Sequence, residues 1–126
     1  MPETVSIVVV DDEPSICKML TIFLSRKGYG AISFTDGYLA LEYLVDSPAR
    51  LVLTDINMPE LDGIGVIRLA KTIKPGLSFL VMGSRLDDDE IKQELAELGI
   101  SDYFRKPFEL EALAQAIEQK LGAVLT

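Results

Sequence analysis

The sequence has no histidine and a single cysteine, Cys17. Zinc sites built from imidazole and thiolate are therefore excluded by count, as is an internal disulfide, and the lone thiol fits a reducing compartment. Long apolar runs are also missing. The longest early one, VSIVVV, stops at Asp11; it is too short to cross a bilayer and lacks the basic start of a signal peptide. A cytoplasmic chain without a membrane partner is the expectation. Positive charge is in deficit: 12 Lys and Arg against 20 Asp and Glu give a formal net charge of −8. Such a surface repels phosphate backbones, so no direct nucleic-acid binding is expected. There is no G-x-x-x-x-G-K motif, only Gly63 and Gly65 as a fragment of a glycine-rich loop, and nothing supports nucleotide binding. Linkers, low-complexity tracts and sequence repeats are missing too.

What is present suits one globular domain. Of 126 residues, 48% are apolar and 25% charged, enough to bury a single core. A single domain over 1–126, with its core over about 5–121, is expected. Val5 to Val10 reads as a buried strand, β-branched and without alternation. Asp11-Asp12-Glu13-Pro14 is helix-start chemistry, and Ile16, Met19, Leu20, Phe23 and Leu24 follow with helical spacing. Gly28 and Gly30 end that helix. A short strand, Ala31 to Phe34, precedes a helix capped by Asp36, with Leu39, Ala40, Tyr43 and Leu44 as its apolar face. Leu51 to Thr54 is a third strand, and after Asp62-Gly63 a helix carries Ile67, Ala70 and Ile73 up to the breaker Pro75-Gly76. Leu77 to Met82 is a fourth strand. A fourth helix carries Ile91, Leu95 and Leu98 and closes at Gly99. Ser101 to Arg105 is a fifth, more polar strand before a last helix with Leu110, Leu113, Ile117 and Leu121.

Strict alternation of strand and helix predicts an α/β fold with a parallel sheet covered on both faces. The central strands of such a sheet are its most apolar, here the first, third and fourth. The expected fold is a doubly wound (βα)5 flavodoxin-like sandwich with strand order 2-1-3-4-5. Ligands of such sheets sit beyond the strands' carboxyl ends, at the switch point between strands one and three. Asp11 and Asp12 follow strand one, Asp55 follows strand three, Gly83-Ser84 follow strand four and Lys106-Pro107 follow strand five. With strands roughly 4.8 Å apart, the three carboxylates crowd into one pocket and repel one another. A hard divalent cation with oxygen ligands, Mg²⁺ above all, relieves the repulsion, and the Lys106 ammonium adds positive charge. Carboxylates, a metal, a lysine and a hydroxyl suit phosphoryl transfer, which is mainly positioning and charge neutralisation; aspartate itself accepts phosphoryl groups.

The pieces VVVDDEP, LVLTDINMPELDG, LVMGS and SDYFRKPF, in that order, resemble the receiver domain of two-component response regulators, over residues 5 to about 121. The resemblance implies that Asp55 accepts a phosphoryl group from a histidine kinase or histidine phosphotransfer protein. It implies that Asp12, Asp55 and the backbone carbonyl of Asn57 hold Mg²⁺ or Mn²⁺, with Asp11 acting through a metal-bound water. Lys106 is similar to the residue that pairs with a phosphoryl oxygen, Ser84 to the switch hydroxyl, and Tyr103 to its aromatic partner. A cis Lys106–Pro107 bond is usual in the family. Phosphorylation would switch the face formed by the fourth helix, fifth strand and fifth helix toward a downstream output protein or domain, and a phosphorylation-dependent dimer is compatible with this. Such a chain is a signalling module that assists its own phosphotransfer and dephosphorylation rather than a turnover enzyme.

Two other functions are weighed beside it. A phosphatase of the haloacid dehalogenase type also uses an aspartate nucleophile and Mg²⁺, but it needs an acid two residues after the nucleophile, where this chain has Asn57. A receiver-fold interaction module without phosphorylation is disfavoured by the complete acid, lysine and hydroxyl set. Elsewhere, Asp87-Asp88-Asp89-Glu90 reads as a solvated helix start, Glu13 as helix-start chemistry, and Cys17 as small core filler. Two departures stand out. Serine replaces the family's usual threonine at Ser84, and Arg85 stands where a small residue is usual; Arg85 is expected to border the pocket and alter attack there.

Overall fold

The computed structural model describes residues 4–84 and 86–122; Arg85, on which one expectation above rests, lies outside them. The strands are β1 (Val5–Val10), β2 (Gly30–Phe34), β3 (Leu51–Asp55), β4 (Ser78–Gly83) and β5 (Tyr103–Arg105). Between and after them lie α1 (Pro14–Arg26), α2 (Gly37–Leu44), α3 (Gly63–Ile73), α4 (Asp89–Glu97) and α5 (Leu110–Leu121). All strand pairs are parallel, and the sheet order is β2-β1-β3-β4-β5, as expected.

The sequence pattern of the central strands explains the layers. Successive strand residues face opposite sides of a sheet, and here both sides are buried. Val8, Val10, Val52 and Val81 pack with Ala40 and Leu44 of α2, Ile67 and Ala70 of α3, and Leu95 of α4. Ile7, Val9, Leu53, Leu80 and Met82 pack with Leu20 and Leu24 of α1 and Leu113 and Ile117 of α5. A strand needed on both faces cannot alternate apolar with polar, which is why VSIVVV and LVLT read as continuous apolar runs. The edge strands differ: β2 is half-buried throughout and β5 alternates between exposed and half-buried.

Carboxylates start three of the helices. Asp36 accepts from the amides of Tyr38 and Leu39, Asp62 from Gly65 and Asp88 from Glu90. These side chains satisfy amides that the first helical turn leaves free. Asp87 to Glu90 is exposed, as a solvated helix start should be.

Some expectations shift. β5 is shorter than Ser101 to Arg105, because regular pairing with β4 starts only at Val81 against Tyr103; the Asp102 carbonyl still accepts from the Val81 amide at 3.4 Å, and its side chain pairs with Lys120 of α5 at 3.1 Å. Gly28, with φ at 94°, ends α1, but Gly30 belongs to β2, where a β-carbon would come within 2.3 Å of the Thr4 carbonyl oxygen. Met19 and Leu39 are not core residues. α1 buries Cys17, Leu20 and Leu24 and α2 buries Gly37, Ala40, Leu41 and Leu44, which turns Met19 and Leu39 outward at 39% and 53% exposure. Among the described residues, no helix is long and apolar enough to cross a membrane.

The sequence neighbours Met19 and Leu20 therefore separate core from surface. Leu20→Ala should cost about 2–5 kcal/mol in urea unfolding, and Met19→Ala about 0.5 kcal/mol or less.

Candidate functional site

The switch point between β1 and β3 gathers the acids. One oxygen from each of Asp11, Asp12 and Asp55 lies within 4.8 Å of the others. Their surroundings differ. Asp11 is fully buried and Asp55 is 4% exposed, whereas Asp12 faces solvent. β5 delivers the counter-charge: the Lys106 Nζ donates to Asp11 Oδ2 at 2.6 Å and to Asp55 Oδ2 at 3.3 Å. The Lys106–Pro107 peptide is cis.

Backbone groups complete the frame. The Glu13 amide donates to Asp11 Oδ1 at 2.9 Å and the Asn57 amide to Asp55 Oδ1 at 3.2 Å. The Asp11 amide donates to the Phe34 carbonyl at 3.1 Å, and its own carbonyl accepts from the Cys17 thiol at 3.2 Å. Cys17 is thus the expected buried filler, but it also anchors β1's end; burial pushes its thiol pKa up.

A cavity of about 610 Å³ opens over this frame, lined by Asp12, Asp55, Asn57, Ser84, Lys106 and Phe108 among others. Six of the seven expected site residues, Asp11, Asp12, Asp55, Asn57, Ser84 and Lys106, thus meet at one end of the sheet, with Asp11 as a buried floor beneath the cavity. Tyr103 stands apart on the outer edge strand at 38% exposure.

Sequence reasoning missed Gly63 as a site residue. Gly63 reads there only as the residue before a helix, yet a β-carbon on it would come within 2.2 Å of the Asp55 carbonyl oxygen and 2.8 Å of the Ile56 Cα. The Gly63 amide also donates to the Ile56 carbonyl at 3.0 Å. The first turn of α3 therefore rests directly on the peptide that carries Asp55, and only glycine permits that approach. The signal was the glycine eight positions after the acid, but spacing alone does not reveal a contact.

The electrostatics follow from burial. Desolvation, then the Asp11 charge, raises the Asp55 pKa, and Lys106 and the Asn57 amide offset only part of this. Burial works against the Lys106 ammonium, yet the hydrogen bond and charge of Asp11, joined by Asp55, hold its pKa above that of an ordinary lysine. The converging ligand atoms are carboxylate oxygens, which suit a hard divalent cation and not a thiophilic one. Asp12, exposed at the cavity wall, is the carboxylate most open to such an ion. Both Asp11 oxygens are already engaged.

An acidic pocket at the switch point of a doubly wound sheet, with a half-buried lysine against its carboxylates, lies where such α/β domains bind their ligands. Comparison with known proteins assigns the family. The model of the response regulator receiver domain matches residues 7–118, so this chain belongs to the response regulator receiver domain family of two-component systems. It is 31% identical over 126 residues to a probable chemotaxis protein CheY of Rhizobium etli, covering 97% of this chain and 96% of that protein. It is 38% identical over 115 residues to the alkaline phosphatase synthesis transcriptional regulatory protein PhoP of Bacillus subtilis, covering 88% of this chain but 47% of that protein, about half its length. The solved structure of chemotaxis protein CheY4 of Vibrio cholerae superposes with a TM-score of 0.85 at 25% identity, covering 94% of this chain and 99% of that one.

A raised Asp55 pKa means that folding disfavours its ionised form. That cost is present above the folded pKa and is gone below the ordinary aspartate value of 3.8. In metal-free buffer at neutral pH, Asp55→Asn should therefore be the more stable protein, by on the order of 1 kcal/mol. Chemical unfolding across pH should show the advantage shrinking as acid protonates Asp55 in the wild type.

Proposed function

We propose that this receiver domain is a phosphorylation-controlled switch with Asp55 as the phosphoacceptor. The observation that carries the reading is the Asp55 carboxylate itself: buried at the end of β3, bonded to Lys106, and walling an open cavity that Ser84 and Asn57 share.

The donor is a phosphohistidine of a histidine kinase or a histidine phosphotransfer protein. An Asp55 oxygen attacks phosphorus; the new O–P bond forms as the P–N bond to the donor imidazole breaks, and the nitrogen keeps its electron pair. Asp12, Asp55 and the Asn57 carbonyl would hold Mg²⁺ or Mn²⁺, with Asp11 reaching it through a water. When bound, that cation neutralises charge on the acceptor and on the transferring phosphoryl oxygens. Lys106, with an ammonium held firmly protonated, shifts from Asp11 and Asp55 to a phosphoryl oxygen. Its place directly after β5 links the site to the sheet's outer edge.

Ser84 follows β4 and is exposed, so its hydroxyl is free to turn toward the phosphoryl group. Tyr103, half out in solvent on β5, turns inward in the same step. The α4, β5 and α5 face then reports the change by a shift between two states to an output protein or domain, or by dimerising. The chain acts in the cytoplasm as a switch whose own chemistry is limited to accepting the phosphoryl group and losing it to water.

Intact mass after incubation with acetyl phosphate tests this. The wild type should gain one phosphoryl group only when Mg²⁺ is present, and Asp55→Asn should gain none. Lys106→Ala leaves Asp11 and Asp55 without their counter-charge and should lower stability; in the molecules that remain folded by circular dichroism it should accept at a rate lower by about 10²-fold, the scale of losing one charge stabiliser. A Mg²⁺-dependent gain that survives Asp55→Asn would move the acceptor elsewhere.

A further inference from the structure

α2 carries an apolar surplus on its outside. Its inner face is Gly37, Ala40, Leu41 and Leu44, all buried. The 3.6-residue repeat puts Tyr38, Leu39, Glu42 and, at the C-cap, Val45 on the opposite face. Tyr38, Leu39 and Val45 are 55%, 53% and 57% exposed. A solvent face of a helix is ordinarily polar or charged; three large apolar groups on one short face are not scattered exposure.

The neighbouring helix extends the patch. On α3, Arg68 and Lys71 reach α4, through Glu94 and the Leu98 carbonyl, while Val66 lies against Gly37 of α2. Leu69 is three positions beyond Val66 and so lies on the α2 flank of α3; it is 44% exposed.

The charge that α2 itself carries is acidic, while the cations nearby are engaged: Lys74 with the Ser47 carbonyl and Arg68 with Glu94. The sequence holds no Lys or Arg between Lys27 and Arg50, and its acids there are Asp36, Glu42 and Asp46. Asp36 is spent on the α2 cap, which leaves Glu42 and Asp46 exposed beside Leu39 and Val45. An apolar strip flanked by unpaired acids is complementary to apolar anchors flanked by bases.

We propose that the outer face of α2, with Leu69, docks an amphipathic helix of a partner protein whose large apolar side chains are flanked by Lys or Arg. A second copy of this chain meeting the same face would set Glu42 and Asp46 against their own counterparts. An anionic membrane would meet the same repulsion. The surface shares no residue with the acceptor cavity, so the proposal does not depend on the role of Asp55.

Amide shift mapping of the full chain against a synthetic leucine–lysine peptide patterned as an amphipathic helix tests it. Saturable shifts over residues 37–46 and at Leu69 are expected, with no binding of the matching leucine–glutamate peptide. Val45→Lys and Leu39→Lys, at exposed positions that leave the fold intact, should each weaken binding by about tenfold or more. Shifts centred on the acids of Asp87 to Glu90 and α4, unchanged affinity in both variants, or no saturable binding would overturn the proposal. So would wild-type self-association in sedimentation that Val45→Lys abolishes, which would make the occupant a second copy. Wild-type binding to phosphatidylserine vesicles with loss in Val45→Lys would make it a membrane and overturn the proposal equally.

Discussion

The contact that the rest of the site depends on is the ammonium of Lys106 between two buried carboxylates. Asp11 and Asp55 end adjacent parallel strands, so the sheet forces two like charges into a dry place. Burying such charges without a partner costs several kcal/mol each. Lys106 supplies the partner at 2.6 Å and 3.3 Å, and the Glu13 and Asn57 amides take the remaining oxygens. The compensation is unequal. Asp11 holds the shorter bond to the lysine, while Asp55 retains a raised pKa and a wall of the cavity. Asp55 thus keeps the less fully compensated charge of the pair, and the exposed Asp12 carboxylate beside it is the one open to a cation.

Rigidity comes from the layers around that contact. Asp55 is the last residue of a fully buried strand, and the first turn of α3 rests on its peptide through Gly63. Asp11 is fixed from β2 by the Phe34 carbonyl and from α1 by Cys17. For the proposed role of Asp55, a carboxylate held in one geometry would supply much of the barrier lowering in phosphoryl transfer, where little covalent chemistry falls to the protein. The end of a core strand provides that fixed position.

Much of this is legible in the sequence. Strands buried on both faces must be apolar throughout, so VSIVVV, LVLT and LSFLVM mark the centre of the sheet, and the order of strands follows. Once the order is known, Asp11, Asp12, Asp55, Ser84 and Lys106 have to meet. Close approaches were not legible. Gly63 against the Asp55 carbonyl depends on the angle at which α3 enters, and no residue pattern encodes that angle. Nor does composition say which acid Lys106 prefers. Met19 and Leu39 were misassigned for a related reason: an apolar stripe read by spacing is wider than the strip a helix buries, and packing decides which edge is left in solvent. At Leu39 the leftover edge belongs to the apolar face of α2, so the misreading exposed a real surplus.

In the function proposed above, the crowded acids, Asp12 foremost, form a divalent-cation site. The most direct test is the unfolding free energy of the wild type and of Asp12→Asn as Mg²⁺ is raised at constant ionic strength and neutral pH. A saturable stabilisation of the wild type is expected, about 2.7 kcal/mol when Mg²⁺ stands at roughly 100 times its dissociation constant, and little or none for Asp12→Asn. A wild type indifferent to Mg²⁺, or a variant stabilised equally, would contradict it.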